Sequence, residues 1–393
     1  MNPIRVSLMS LPKPAKLLRV QTACQRLNNL ASVCCVMAFA LASCRAAHAE
    51  DKEVVTAEAI QDGLVYEKVI GTEFPGKYKH PAVIEELSNG DLYIAYYGGD
   101  GEYAAETAVY GMRKAKGQSE WSKPQIIAQT PFYSDGNPVV WQAPDGVVWL
   151  FYVCRFGDTW STSRIKGKIS TDQCQTWSDS FMVAMDEGMM VRSRPILLTN
   201  GDYLLPVYHE TGFDSESVGP DSTSRFLRFT PGGKHWQQMA PVRSPKGNIQ
   251  PGVVQISANY LVAYCRRGGG YGPGHEGYIV RSESRDGGLT WSEGTDTKLP
   301  NPNAAIDLLR LASGNILLVY NNSFHERTPL TLALSTDVEK SWSHQREIAT
   351  QKLDYAYPYA IQSRDGKIHV VFTSHRRSVI NHVVFDESFL TKK

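Results

Sequence analysis

Ser284-Arg285-Asp286-Gly287-Gly288-Leu289-Thr290-Trp291 is the stretch that decides the fold. The residues before it, 278–283 (YIVRSE), have the alternation of a strand. Asp-Gly-Gly then supplies a tight hairpin turn, because glycine reaches φ > 0 at least cost. Asp286 and Thr290 are suited to hydrogen-bond the turn amides. Trp291 is expected to lie over the hairpin as an apolar plug.

The chain makes this hairpin more than once. Ser170–Trp177 keeps Ser170, Asp172, Thr176 and Trp177, and Ser335–Trp342 keeps Ser335, Asp337, Ser341 and Trp342. Weaker copies end at Trp121 and Trp236. The five tryptophans are 56, 59, 55 and 51 residues apart. A second marker runs between them. Asn89-Gly90, Asp145-Gly146, Asn200-Gly201, Ala258-Asn259, Ser313-Gly314 and Asp365-Gly366 each precede an apolar, aromatic-rich run and follow another. One unit is therefore four antiparallel strands, and six units imply an all-β, six-bladed β-propeller of four-stranded antiparallel blades. The flanking strand-like segments Val54–Val69 and Asn381–Phe385 are expected to share one blade and close the ring.

Bulk properties narrow the function. The chain has 393 residues, a formal net charge of +1 and 8 Trp with 19 Tyr. The charge gives no case for nucleic acid as a partner. The aromatic content suits a stacked β-fold or a sugar-binding cleft. Residues 1–49 read as a signal peptide, with an apolar core at 30–43 too short to span a bilayer and a cleavage site at Ala47-His48-Ala49. Leu41-Ala42-Ser43-Cys44 supports a competing reading, a lipoprotein signal ending before Cys44. Either way the propeller, 50–393, is expected to be exported to the periplasm, the cell surface or the medium. No transmembrane helix is expected in the mature chain. Cys154, Cys174 and Cys265 are too scattered for a disulfide framework or a Cys-x-x-Cys metal pair. No metal or cofactor is implied.

Blade topology locates the chemistry. The start of each inner strand and the end of each second strand share one face, and the Asp-bearing hairpins lie on the other. Inner-strand starts put a polar or aromatic residue before proline at His80, Asn137, Arg194, Gln250 and Tyr357; blade five has Asn303 and Asp307 instead. Proline there needs no ladder N–H and is expected to hold its predecessor extended. Second-strand ends add Asp100, Glu102, Arg155, His209, Glu210, Arg266, Arg267, His375 and Arg376. Such a face suits a polar, anionic ligand, since arginine binds carboxylate bidentately.

With these Ser-x-Asp-x-Gly-x-Thr-Trp turns on a six-bladed frame, the chain resembles the sialidase (neuraminidase) superfamily, whose Asp boxes they are. The runs HPAVIEELSNGDLYIAYYGGDGE, RSRPILLTNGDYLLPVYHE, LPNPNAAIDLLRLASGNILLVYN and YAYPYAIQSRDGKIHVVFTSHRR look like those of bacterial predicted neuraminidases. The resemblance implies an exo-α-sialidase type of glycosidase, with Tyr357 as nucleophile, Glu210 as its activating glutamate and Asp100 as acid/base. It implies substrate binding by Arg266, with His80, Asn137, Arg194, His209, Gln250, Asp307 and Arg376 around it. The resemblance also implies an arginine at the start of blade one, where this chain has Lys79-His80-Pro81. The expected partner is an acidic glycan or oligosaccharide, and a monomer is the expected state. Two other readings compete. A polysaccharide lyase would use His80, His209, His375, Tyr357 and Arg194 on uronate glycans. A non-catalytic propeller would only bind surface glycans.

Overall fold

The computed structural model describes residues 59–61, 63–72, 76–212 and 218–392. The leader read at 1–49, with its Cys44 alternative, and the first part of the Val54–Val69 segment lie outside the described residues. Six antiparallel sheets form a six-bladed β-propeller. From the axis outward, blade one is Tyr78–Glu86, Leu92–Gly99, Ala108–Lys114 and Gln125–Ala128. Blade two is Ser134–Gln142, Val148–Arg155, Ser163–Ser170 and Phe181–Ala184. Blade three has a broken inner strand, Met189–Val191 and Ile196–Leu197, then Tyr203–His209, Thr223–Phe229 and Gln237–Gln238. Blade four is Asn248–Gln255, Leu261–Arg267, Tyr278–Ser284 and Thr295–Pro300. Blade five is Asp307–Arg310, Ile316–Asn321, Leu330–Ser335 and His344–Ala349.

Blade six contains both ends of the ring. Its inner strands are Ala356–Gln362, Ile368–Ser374 and Val379–Phe385, and its fourth is Leu64–Ile70. Val65 pairs with Val384 and Lys68 with Asn381 in antiparallel register. The expected closure is therefore what the chain does. Ala59–Gln61 adds a short hairpin strand outside it.

The core lies between neighbouring sheets. Ile84, Ile94 and Tyr96 of blade one pack in one cluster with Val140 and Leu150 of blade two and Val371 and Ile380 of blade six. The Asp boxes sit between third and fourth strands, and their hydrogen bonds are internal. Ser284 Oγ donates to Asp286 Oδ1 at 2.8 Å, and the Leu289 and Thr290 amides donate to the same oxygen at 3.0 and 2.9 Å. The copies at Asp172 and Asp337 repeat this, and hydrogen bonds from Thr176 and Ser341 hold both carboxyls down at about 2.

The box tryptophans do something the hairpin alone did not suggest. Each leans on the preceding blade rather than over its own turn. Trp291 stacks on Phe226 of blade three, with centroids 4.2 Å apart and planes at 16°. Trp342 meets Tyr264 of blade four, Trp236 meets Trp149 and Phe151 of blade two, and Trp177 meets Tyr93 of blade one. Trp121 reaches blade six, where its Nε1 donates to Glu67 Oε1 at 3.0 Å. At the remaining joint no box tryptophan is available. There Phe389 and Leu390 of the short C-terminal helix Ser388–Thr391 join the apolar cluster of blades five and six.

Cys154, Cys174 and Cys265 are buried free thiols, and burial pushes each up to about 12. Among the described residues no helix is long and apolar enough to cross a membrane. Removing one wedge is expected to loosen one joint. Trp291→Ala should cost about 2 kcal/mol, less than a fully buried tryptophan because the ring is only half buried. The shift of the denaturant midpoint at unchanged slope measures it.

Candidate functional site

The inner strands carry a repeated irregularity at their starts. Strand register slips between His80 and Ala82, Gly136 and Val139, Ile249 and Gly252, and Ala356 and Tyr359. These are β-bulges, and a bulge re-aims a side chain. At three of the four the residue before proline is left-handed rather than extended, contrary to the expectation from proline alone; His80 is the exception. Asn137, Gln250 and Tyr357 have φ of 44°, 55° and 53°. Left-handed backbone at a bulky residue costs about 1–3 kcal/mol and persists only where surroundings impose it. Asn303 of blade five has φ 58° without a proline after it. The bulges gather Asn137, Gln250 and Tyr357 at the mouth of the axis.

A narrow polar pocket opens there. Gln250 Nε2 lies 3.3 Å from both the Tyr208 and the Tyr357 hydroxyl. Asn137 Nδ2 donates to Tyr208 Oη at 3.0 Å. Arg266 fans out over four partners: Nη1 donates to Tyr357 Oη at 3.1 Å and to Gln250 Oε1 at 3.3 Å, Nη2 to Tyr271 Oη at 2.6 Å, and Nε to Asn303 Oδ1 at 2.7 Å. Glu210 lines the same pocket. Burial raises Tyr208 well above the ordinary phenol value, and the charge of Glu210 adds to it. Burial alone would lower Arg266, but Tyr271, Tyr357 and Glu210 outweigh it and hold the cation.

Three arginines converge on this pocket: Arg266, Arg327 and Arg377. The Arg327 guanidinium stands 5.7 Å from the Tyr357 ring centroid, and its Nη1 is buried without a hydrogen-bond partner. Arg377 enters from the end of blade six, and its carbonyl accepts from Lys79 N at 2.7 Å. It thus stands beside the start of blade one, where the resemblance implies an arginine. Lys79 itself turns away, with Nζ donating to Gly76 O at 2.7 Å. Across the pocket, Glu102 Oε2 accepts from Tyr78 Oη at 2.6 Å.

The sequence was compared with known proteins. A family model described as a BNR repeat-like domain matches residues 90–370. The chain belongs to this BNR repeat-like family. No curated protein matches its sequence. Among solved structures, the Hadza microbial sialidase Hz136 is similar at 14% identity and a TM-score of 0.68, over 81% of this chain and 68% of that one. The NanB sialidase of Streptococcus pneumoniae is similar at 10% identity and 0.68, over 87% and 73%. The intramolecular trans-sialidase of Ruminococcus gnavus is similar at 14% identity and 0.65, over 83% and 98%. At these identities the likeness is one of fold: the six-bladed propeller is shared with these sialidases.

Not every residue singled out from the sequence lies in this BNR protein's pocket. Tyr357, Glu210, Asn137, Gln250 and Arg266 line it. Arg194 and Asp307 do not, because they bind each other: Nη2 and Oδ2 are 2.6 Å apart, with side chains 12% and 2% exposed. Asp307 Oδ2 also accepts from Ala360 N at 2.6 Å. The two form a cross-axial ion pair between blades three and five. His80 lies beneath the pocket, its ring edge-on to Tyr357 at 4.2 Å and its Nδ1 2.9 Å from Thr373 Oγ1. Burial, then the nearby arginines, hold it well below the ordinary histidine value, so it is neutral. His209, one residue before Glu210, faces the other way, towards Asp186 and Arg225. Asp100, His375 and Arg376 are exposed and outside the lining. Their neighbours Glu102 and Arg377 are inside it.

Arg192, Arg327 and Arg377 were missed by reading the sequence, as were the pocket tyrosines Tyr208 and Tyr271. Arg327 comes from a loop with no repeat marker. Arg192 lies at the break in blade three. It is 1% exposed, donates from Nη2 to Pro358 O at 2.5 Å, and sets its guanidinium 5.4 Å from the Tyr357 ring centroid. The Arg192-Ser193-Arg194 spacing was its only signal. Among the described residues no group of three or more His, Cys, Asp or Glu is arranged to hold a metal ion.

Glu85, lower on the blade-one inner strand, shows the cost of the polar axis. Burial pushes its carboxyl up to about 8, with Arg194 pulling the other way. Its folded value lies above its unfolded one, so folding takes up a proton between about 4.5 and 8. Stability should therefore fall as pH rises through that window. Glu85→Gln should flatten the fall, seen as a smaller difference in Tm between about pH 5 and about pH 9 than in the parent protein.

Proposed function

We propose that this protein is an exported glycosidase that cleaves sialic acid or a closely related acidic sugar at the axial pocket. One observation carries the reading: the Tyr357 hydroxyl, 3.1 Å from Arg266 Nη1, sits where three arginines converge. Arginines bind a sugar carboxylate bidentately. A tyrosine in left-handed backbone is a strained group, and strain of this kind clusters at functional sites. The leader read at 1–49 supports export.

In this mechanism Arg266, Arg327 and Arg377 hold the carboxylate. The Tyr357 oxygen attacks the anomeric carbon, and Glu210 takes the phenolic proton. The glycosidic carbon–oxygen bond breaks as a carboxylic acid protonates the leaving oxygen. Glu102 is the better acid than Asp100, because it lines the pocket and Asp100 is exposed. Water then attacks the tyrosyl-linked sugar, Glu102 takes its proton, and the bond to Tyr357 breaks with retention as Glu210 returns its proton to the phenol oxygen. The lyase reading loses its base, since His80, His209 and His375 are all outside the pocket lining.

Tyr357→Phe should lower kcat on an aryl sialoside by about a thousandfold with the fold intact. A variant with full activity would sink the mechanism. Glu102→Gln should lose about a hundredfold on a natural glycan but much less on a substrate with a good leaving group, which needs no acid. Asp100→Asn should stay near the parent rate. Arg377→Lys should raise KM about tenfold with a smaller change in kcat, because a lysine cannot grip a carboxylate with two hydrogen bonds. Product mass separates added water from elimination.

A further inference from the structure

Three aromatic side chains stand exposed beside the pocket mouth: Phe132 at 90%, Tyr133 at 39% and Phe156 at 45%. The Tyr133 and Phe156 ring centroids are 4.9 Å apart with planes at 54°. Single exposed apolar residues are ordinary, but a contiguous group of large ones marks a contact surface. Phe132 adds a second, independent sign. Its φ is 68°, a conformation that bulky side chains rarely adopt. No packing gain offsets it, because the ring is almost wholly in solvent.

The turn that presents Phe132 is tied down. Thr130 N donates to Asp135 Oδ2 at 2.6 Å, and Tyr133 N donates to Thr130 O at 3.2 Å. Both rim segments attach directly to the pocket wall. Ser134 Oγ donates to the carbonyl of Glu102 at 3.1 Å. Arg155, next to Phe156, spreads its guanidinium 4.4 Å from the Tyr103 ring centroid and 5.8 Å from that of Trp160, and Tyr103 and Trp160 line the pocket. The aromatic rim is thus continuous with the site.

We infer that Phe132, Tyr133 and Phe156 form a platform for the neutral sugar units that follow the acidic one in the substrate. The inference rests on the axial pocket taking an acidic sugar. Aromatic faces take up the apolar face of a pyranose ring. The three side chains carry no charge, so they select neutral hexoses and not a second acidic residue. Chain continuity then fixes the direction: the acidic end occupies the axis, and the remainder crosses the rim over blades one and two.

The test compares the Tyr357→Phe protein, expected to turn over substrate about a thousandfold more slowly, with the same protein carrying Phe132→Ser, Tyr133→Ser and Phe156→Ser. Isothermal titration uses three probes: free sialic acid, a sialylated tetrasaccharide, and the same oligosaccharide without its sialic acid. The tetrasaccharide is expected to bind about tenfold more tightly than the free acid, and the triple variant to lose that gain while keeping the acid's affinity. The neutral oligosaccharide is expected to bind weakly to the parent and not to the variant. Acid binding with no gain from chain length overturns the platform and leaves the axial reading standing. Neutral binding lost in the variant, without acid binding, overturns the axial reading and leaves the platform. No binding of any probe overturns both. Should the triple variant unfold, Phe132→Gly, which relieves the left-handed strain while removing the ring, is the replacement, with the same loss of gain expected and an unchanged gain overturning the proposal.

Discussion

The ring is held shut by one non-covalent joint, and the geometry at the axis depends on it. Leu64–Ile70 completes blade six against Val379–Phe385. Glu67 knots that joint: Oε1 accepts from Trp121 Nε1 at 3.0 Å and from Lys114 Nζ at 3.1 Å, and Oε2 lies 3.2 Å from His382 Nδ1. One carboxylate thereby ties the closing strand to blades one and six. Without the joint, two sheet edges would be free and the six inner strands would have no fixed radius. Arg266 of blade four and Tyr357 of blade six meet across the axis only because that radius is set.

Given a closed ring, the axis becomes a place where polar groups must satisfy one another. Arg194 and Asp307 do so directly, and such a buried pair gains little over an apolar alternative although losing one partner is costly. Its value here is registry, since it spans the axis beneath the pocket. Arg192 grips the carbonyl of Pro358, next to Tyr357, and so helps impose the left-handed backbone that turns the phenol towards the pocket. Proline in the bulge costs no ladder hydrogen bond, which is why this irregularity could recur in four blades. Fold and site are therefore joined at the same few residues.

Much of the frame was legible because it repeats. The Asp286 hairpin and its copies signalled the blades, and the X-Pro starts signalled which side chains meet at the axis. What could not be read was pairing across the ring. Arg194 and Asp307 are 113 residues apart; alone, Arg194 looked like a ligand for a substrate carboxylate and Asp307 like another substrate-binding residue. Loop direction was equally silent. Asp100 and Glu102, or Arg376 and Arg377, differ by a turn of backbone that no propensity decides, and in each pair it is the second that reaches the pocket. Arg327 has no repeat partner and so left no periodic trace. The tryptophans were read correctly as fasteners but on the wrong object, because the surface they cover belongs to another repeat.

That backward lean has a consequence for the chain as it leaves the ribosome. A blade's apolar flank is covered only when the hairpin of the next blade has been made, so each blade waits about one repeat for its cover. The first strand waits longest. Tyr66 and its partner Asn381 are 315 residues apart, and Leu64–Ile70 has no blade-six neighbour until Val379–Phe385 has been made. The nascent protein thus carries an open strand edge while the 315 residues between these partners are made, the period in which a chaperone or a neighbouring chain has the best chance of occupying it.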